Sequence, residues 1–202
     1  YKSYYIVLLS FNEIGYYIQI QNGVRVMNNK LYLHIPSFEE LGYRQKILAQ
    51  HDTMSYNRGY ELGLENYDNE TGCIDFRKEY WKEWYSVWIS NEPQRYYAYL
   101  TEVKSNNYIG EVCFHYDKNI NSYCIGIVIE AKYRGNGYCS DGLIKLAEKA
   151  FIDLNLDRLR NDIPIERKSA IAGHKRAGFK EIEIIDGNCI LELSKDDYLQ
   201  LC

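Results

Sequence analysis

The stretch "YRGNGYCSDGLIKLAEKAF", Tyr133 to Phe151, places two glycines, an arginine and a helical apolar pattern in one short segment. A glycine turn that leads into a helix directs unpaired backbone N–H groups and the positive end of the helix dipole at one point. Gly135 and Gly137 flank Asn136 and let the backbone approach a ligand closely, and Arg134 adds positive charge. The segment therefore predicts either a simple turn before a helix or an anion site with room for a pyrophosphate.

Two common nucleotide-binding motifs do not fit this segment. A P-loop requires Gly-Lys followed by Ser or Thr, whereas Gly137 is followed by Tyr138 and Cys139. A Rossmann fingerprint belongs to the first βαβ unit of a parallel sheet. Here the segment follows three β-like runs joined by short polar turns, "RYYAYLTEV", "YIGEVCFHY" and "SYCIGIVIE". These runs predict an antiparallel meander.

The rest of the chain continues the alternation of strands and helices. "KLYLHI" predicts a strand, and the helix after it has Ser37 and Glu40 in a capping-box arrangement. The run from residue 75 to 89 predicts a helix with one aromatic face for core packing, formed by Trp81, Trp84, Tyr85 and Trp88. After the glycine segment come a strand "DRLRNDI", a helix "ERKSAIAGHKRAGF" and a hairpin around Asp186-Gly187-Asn188. The predicted order is β, α, α, βββ, α, β, α, ββ.

Composition excludes several classes of protein. The chain has 202 residues and a formal net charge of −4, so a single domain is expected and broad binding to nucleic acid is not. The six cysteines include no Cys-X-X-Cys pair and no cluster with histidine at zinc spacing, so no metal is expected. Scattered cysteines in a chain of this size indicate reduced thiols and a cytoplasmic protein.

The N-terminal residues have a different character from the rest. An apolar run from Tyr4 to Leu9 is too short to span a bilayer, and no small-residue cleavage site follows it, so no membrane association is expected. Met27 directly precedes the first predicted strand. We expect residues 1–26 to be an extension and residues 27–202 to form the domain; the alternative is a strand or hairpin of residues 1–26 packed on that domain.

The glycine segment in this setting resembles the GNAT superfamily of acetyl-CoA-dependent N-acetyltransferases. Their motif on the turn after the fourth strand is Arg or Gln, two residues, Gly, one residue, and Gly or Ala; Arg134, Gly137 and Cys139 occupy the named positions. The resemblance runs from about Met27 to Leu193 and includes "HKRAGFKEIE", which is similar to the family's closing helix and strand. "LYLHIPSFEEL" and "YIGEV" are similar to the branch with ribosomal-protein N-terminal and small-molecule acetyltransferases. The resemblance implies an α+β GNAT fold: a mixed, mostly antiparallel sheet with helices on both faces and splayed fourth and fifth strands.

The resemblance also implies acetyl-CoA as cosubstrate and a set of residues that bind it. The pantetheine arm would pair with the backbone of Ile127, Val128 and Ile129, and the pyrophosphate would lie on Arg134, Gly135, Asn136, Gly137, Tyr138 and Cys139. Two residues depart from the pattern. Cys139 replaces a Gly or Ala and is expected to crowd the pyrophosphate slightly. Arg167 stands where the branch usually has an Asn that binds the coenzyme arm, and could contact a phosphate instead.

Direct attack of an amine on the thioester requires an oxyanion donor, an acid for the thiolate and a route for the amine proton. The resemblance implies the N–H of Val128 as the oxyanion donor and His174, at the place of the family's Tyr, as the acid. Cys124 occupies the place where many relatives have a catalytic Glu. The candidates for the base are Glu111, His115 and Asp162, and a water chain is the alternative to all three.

The acceptor is expected to be a primary amine of a small molecule or of a protein N-terminus. The long polar and aromatic loop from His51 to Cys73 is the candidate for binding it, through Tyr56, Asn57, Arg58 and Tyr60. Related domains are often dimers, so a homodimer is one expectation. The rival hypothesis is an acyl-CoA sensor or scaffold without turnover, because Cys124 and Arg167 replace residues that the family uses.

Overall fold

The computed structural model describes residues 30–201, so the predicted extension of residues 1–26 lies outside the described residues. The strands in this part are β1 Leu31–His34, β2 Arg95–Glu102, β3 Tyr108–Asp117, β4 Ser122–Ile129, β5 Arg158–Pro164, β6 Lys180–Ile185 and β7 Asn188–Ser194. The helices are α1 Leu41–Leu48, α2 His51–Met54, α3 Lys78–Trp88, α4 Tyr138–Glu148, α5 Lys168–Arg176 and α6 Lys195–Leu201. The predicted order of strands is confirmed.

The strands form one sheet in the order β1-β2-β3-β4-β5-β7-β6, and only the pairing of β4 with β5 is parallel. That parallel pairing consists of two residue pairs, Tyr123 with Leu159 and Cys124 with Arg160. Beyond Cys124 the two strands separate, while β4 stays paired with β3 as far as Ile129. The predicted splay is therefore present, and it leaves a gap between the second half of β4 and β5.

Helices pack on both faces of the sheet because side chains alternate along each strand. On one face, Phe114 of β3 packs in a single apolar core with Leu143 and Leu146 of α4. The same core includes Phe179, which follows α5, and Tyr198 of α6. On the other face, α1, α2 and α3 bury Leu41, Ile47, Leu48, Met54, Phe76 and Trp81. Strand β4 thus lies between two packed layers, which confirms the α+β class.

The helix starts and turns follow the sequence with some differences. The Glu40 carboxylate accepts the Ser37 N–H at 2.7 Å, which is one half of the predicted capping box, but α1 begins only at Leu41. Asp186 and Gly187 have φ angles of 49° and 76°, the two left-handed residues that a tight hairpin requires.

Two helical segments were not predicted from the sequence. Residues 51–57 form α2 and a 3₁₀ turn, Ser55–Asn57, inside the stretch expected to be a loop. Helix α6 follows β7 directly, and the pattern "KDDYLQL" is too short for a clear helical period.

Candidate coenzyme and acceptor site

The glycine turn before α4 is open and left-handed. Gly135 and Gly137 have φ angles of 82° and 81°, and a Cβ atom placed on either would meet no heavy atom within 4 Å. Gly137 caps α4, whose first hydrogen bond runs from the Asp141 N–H to the Gly137 carbonyl. The N–H groups of the first turn are thus available at the positive end of the helix dipole. We call residues 135–139 the amide cradle.

Polar side chains hold the amide cradle in shape. The Asn136 side-chain amide donates to the carbonyls of Tyr133, at 3.1 Å, and Arg134, at 3.3 Å. The Ser140 hydroxyl donates to the Gly137 carbonyl at 2.9 Å. Because these bonds use carbonyls as acceptors, they leave the backbone N–H groups for an anion.

Arg134 is used differently from the prediction. Its guanidinium donates to the carbonyls of Ile129, at 3.2 Å, Asp52, at 3.0 Å, and Thr53. These contacts fasten α2 to the end of β4. The arginine therefore joins the predicted acceptor segment to β4. Only those N–H groups of its guanidinium that make none of these three bonds remain for a phosphate.

Tyr138 and Cys139 direct their side chains away from the cradle. The Tyr138 hydroxyl donates to Glu102, and this bond raises the pKa of Tyr138 to about 12. The Cys139 sulfur lies 3.0 Å from the position that a Cβ atom on Gly173 would take, so it packs between α4 and α5. Burial raises the pKa of this thiol. Because Gly173 has no side chain, the Cys139 sulfur has room against α5. The expected crowding of the pyrophosphate by Cys139 stays a prediction.

The β3–β4 register decides which backbone groups of β4 face the gap. The Glu130 N–H donates to the Ile109 carbonyl, so these two residues form a hydrogen-bonded pair. Hydrogen-bonded and non-hydrogen-bonded pairs alternate along two antiparallel strands, so the next hydrogen-bonded pair is Val128 with Glu111. In agreement, the Val128 carbonyl lies 2.1 Å from the position of a Cβ on Gly110 of β3. The N–H of Val128 therefore faces β3, contrary to its predicted role, and those of Ile127 and Ile129 face the gap.

Glu111 lies directly across from Val128 but is not a free carboxylate. It is only 6% exposed, forms an ion pair with Arg44 and accepts the Tyr97 hydroxyl. The Arg44 guanidinium stacks 4.6 Å from the ring centre of Trp84. Burial opposes ionisation of Arg44, but attraction to Glu111 raises its pKa. Sequence reasoning missed Arg44, since nothing local to α1 indicates a partner on β3.

His174 is also fully engaged. It is 1% exposed, with Nδ1 at 2.9 Å from the Ala170 carbonyl and Nε2 at 2.9 Å from the Asn161 amide. The carbonyl can only accept, so Nδ1 carries the proton and Nε2 accepts from Asn161. Burial lowers the pKa of His174, which keeps the ring neutral. This arrangement leaves no N–H for a thiolate and gives the predicted acid no geometric support.

The other two candidates for the base lie on the same sheet face as Glu111, toward the other end of the gap. Asp162 accepts both Nε and a terminal nitrogen of Arg160, at 2.8 and 3.1 Å. His115 packs edge-on against Trp88, and burial lowers its pKa. Asp162 is thus paired, as Glu111 is, and His115 belongs to an aromatic cluster.

The structure brings Arg167 together with two of the predicted acceptor residues. Its guanidinium carbon lies 4.3 Å from the ring centre of Tyr60 and 5.1 Å from that of Tyr56. Tyr56 packs in the same apolar cluster as Val128, and burial raises its pKa to about 12. Asn57 is buried, and its carbonyl accepts the Tyr67 hydroxyl, whereas Arg58 is exposed. Residues 51–60 are therefore held between β4, through Arg134, and α5, through Arg167.

Residues 30–201 contain neither a metal-binding group nor a membrane-spanning helix. In this range no three His, Cys, Asp or Glu side chains are grouped so that they could hold a metal ion. None of the helices described for these residues has the length and apolar character needed to cross a bilayer.

Comparisons with known proteins agree with this fold. The sequence model of the acetyltransferase (GNAT) domain matches residues 33–180. The spermidine N-acetyltransferase of Vibrio cholerae, solved in complex with CoA and spermine, has a TM-score of 0.65 at 17% identity, covering 85% of this chain and 99% of that one. A GNAT-family acetyltransferase of Bacillus anthracis has a TM-score of 0.63 at 15% identity, covering 83% and 96%. No curated protein matches the sequence.

Proposed function

The chain belongs to the GNAT acetyltransferase family, and from this premise we propose that it transfers the acetyl group of acetyl-CoA directly to a primary amine of a small molecule or of a protein N-terminus. The observation that carries the proposal is the amide cradle at the start of α4, placed beside the gap between β4 and β5. An anionic diphosphate suits the cradle, and an extended amide-bearing arm suits the free edge of β4.

The backbone of β4 supplies the donors for the arm and for the oxyanion. The N–H groups of Ile127 and Ile129 face the gap, so we assign the oxyanion contact to one of these in place of Val128. A fixed backbone N–H in this gap stabilises the charge that develops on the thioester oxygen without reorganisation.

Proton transfer does not require a dedicated carboxylate in this proposal. Glu111 is held by Arg44 and Tyr97, and Asp162 by Arg160. We therefore propose that the amine loses its proton to water, and that the departing thiolate takes up a proton from water. Glu111 then has a structural role, in the buried pair with Arg44 that joins α1 to β3.

A first experiment tests the coenzyme site. Isothermal titration of the full chain with acetyl-CoA is expected to give saturable binding. An absence of binding at millimolar coenzyme contradicts the proposal.

The second candidate is a domain that binds acyl-CoA without turnover. It is favoured by the engagement of the three side chains predicted to be catalytic, Glu111, His174 and Asp162. Release of free thiol with polyamines, aminoglycosides, amino acids or short peptides eliminates this candidate. Binding of acetyl-CoA without thiol release from any of them supports it.

A further inference from the structure

Arg167 is a partly buried cation, and no carboxylate among residues 30–201 neutralises its charge. None of the ion pairs among residues 30–201 includes it, and its Nε is buried without a hydrogen-bond partner. The guanidinium lies over the rings of Tyr56 and Tyr60, and its nitrogens donate no side-chain hydrogen bond within residues 30–201. A planar fork of N–H donors held in this way matches a carboxylate.

The carboxylates predicted for the same site are, in contrast, already neutralised. Glu111 is paired with Arg44, and Asp162 with Arg160. A polyamine, which carries several positive charges, would find an uncompensated arginine here and no free carboxylate among these groups. The charge of the site therefore favours an acceptor that carries an anion.

The position of Arg167 indicates that its anionic partner belongs to the acceptor and is not a phosphate of the coenzyme. Arg167 contacts Tyr56 and Tyr60, which belong to the predicted acceptor segment, and Tyr56 packs in the cluster that includes Val128. In an α-amino acid the amine and the carboxylate are attached to one carbon. A carboxylate bound at Arg167 thus keeps the amine close to Tyr56 and to β4.

We propose that Arg167 is the acceptor-specificity residue of this enzyme and binds the carboxylate of a substrate that carries an amine and a carboxylate together, of which free amino acids are the simplest class. This inference rests on the proposed acetyl transfer. The amine nitrogen forms an amide bond to the acetyl carbon, the thioester C–S bond breaks, and the thiolate leaves. The proton lost by the amine balances the one gained by the thiolate.

The test compares amino acids with their own carboxamides, which differ only in the carboxylate. Thiol release is measured for both panels and for spermidine, with acetyl-CoA saturating. We expect kcat/KM for an accepted amino acid to exceed that for its amide by about 10- to 100-fold, as a charge-assisted hydrogen bond allows. The variant Arg167→Gln is expected to remove this ratio.

A matched control removes a neighbouring charge. Lys168 is exposed and follows Arg167 in the chain, so Lys168→Gln changes the net charge equally without touching the tyrosine pair. We expect this variant to keep the ratio of acid to amide. Loss of the ratio in both variants overturns a specific role for Arg167.

Titration with acetyl-CoA shows whether Arg167 binds the carboxylate of the acceptor or a phosphate of the coenzyme. If Arg167→Gln weakens acetyl-CoA binding about tenfold and leaves the ratio of acid to amide unchanged, the residue serves a coenzyme phosphate and the inference is wrong. A preference for spermidine over all amino acids also overturns it, while the proposed function stands. If no amine releases thiol, the proposed function fails; binding of amino acids, but not of amides, to the acetyl-CoA-loaded wild-type chain then still decides the inference.

Discussion

The ion pair between Arg44 and Glu111 is predicted to be a strongly coupled structural element. The two side chains are only 17% and 8% exposed, and they join α1 to β3 across 67 residues of sequence. Removing one partner of a buried pair leaves an uncompensated charge and costs about 3–5 kcal/mol. For a domain of this size, that corresponds to a fall in Tm of about 6–20 °C. Arg44 also loses its stacking on Trp84 when it is replaced.

The perturbation is a double-mutant cycle of Glu111→Leu, Arg44→Met and the double variant. Each single variant is expected to lose about 3–5 kcal/mol of unfolding free energy. The double variant is expected to lose at least about 2 kcal/mol less than the sum, because no unpaired charge remains. Urea denaturation followed by tryptophan fluorescence measures all three, since Trp84 lies against the Arg44 guanidinium.

Two results would refute this reasoning. Additive losses in the double variant would mean that the pair is not coupled. A folded double variant that binds acetyl-CoA normally but has lost more than about 100-fold in kcat would assign general-base catalysis to Glu111, because such a loss is of the size a positioned base contributes. The proposal that water takes the amine proton would then be wrong.

Three further predictions follow from single contacts. Gly137→Val is expected to abolish acetyl-CoA binding in titration, while Gly187→Val, at a hairpin glycine with the same left-handed φ and the same open space, keeps it; equal losses would argue against the amide cradle. Arg134→Met is expected to cost about 1–3 kcal/mol of unfolding free energy and to speed hydrogen exchange in residues 51–57, because it loses three carbonyl contacts; unchanged exchange there would contradict its role as a clamp. Burial opposes the shift at Glu40, but hydrogen bonds from Tyr108 and the Ser37 N–H lower its pKa from 4.5 to about 2. The lowered pKa means that its contribution to stability is present above pH 4.5 and is lost between pH 4.5 and 2. Glu40→Gln is therefore expected to flatten the pH dependence of unfolding in this range, and an unchanged profile would count against the network.

Local patterns account for the parts of the fold that were predicted correctly. The three strands of the meander, the aromatic face of α3 and the hairpin at Asp186-Gly187 each depend on residues close together in the chain. The polar and glycine residues around positions 51–57 predict a loop, yet burial of Thr53 and Met54 makes this segment helical. Tertiary packing outweighed local propensity there.

The side chains of the site were predicted less well than its backbone. The places of Glu111 and Val128 on neighbouring strands follow from alternation, and the structure pairs them directly. Which way the Val128 N–H points depends on the hydrogen-bonding phase of two strands, and sequence alone does not determine that phase. The ring nitrogens of His174 are taken by Asn161 and Ala170, and only the first of these comes from another element.

The sequence by itself determined the amide cradle, because a left-handed glycine turn and a helix start depend on a few consecutive residues, Gly135 to Tyr138. Only the tertiary structure decided what surrounds it: that Arg44 neutralises Glu111, and that Arg167 stacks on Tyr60 with its charge unpaired. Such contacts join residues that are far apart in the chain, and their charges act over distances that only the folded packing sets. The cradle therefore predicts the coenzyme, whereas the proposed choice of amine depends on contacts that only the folded chain brings together.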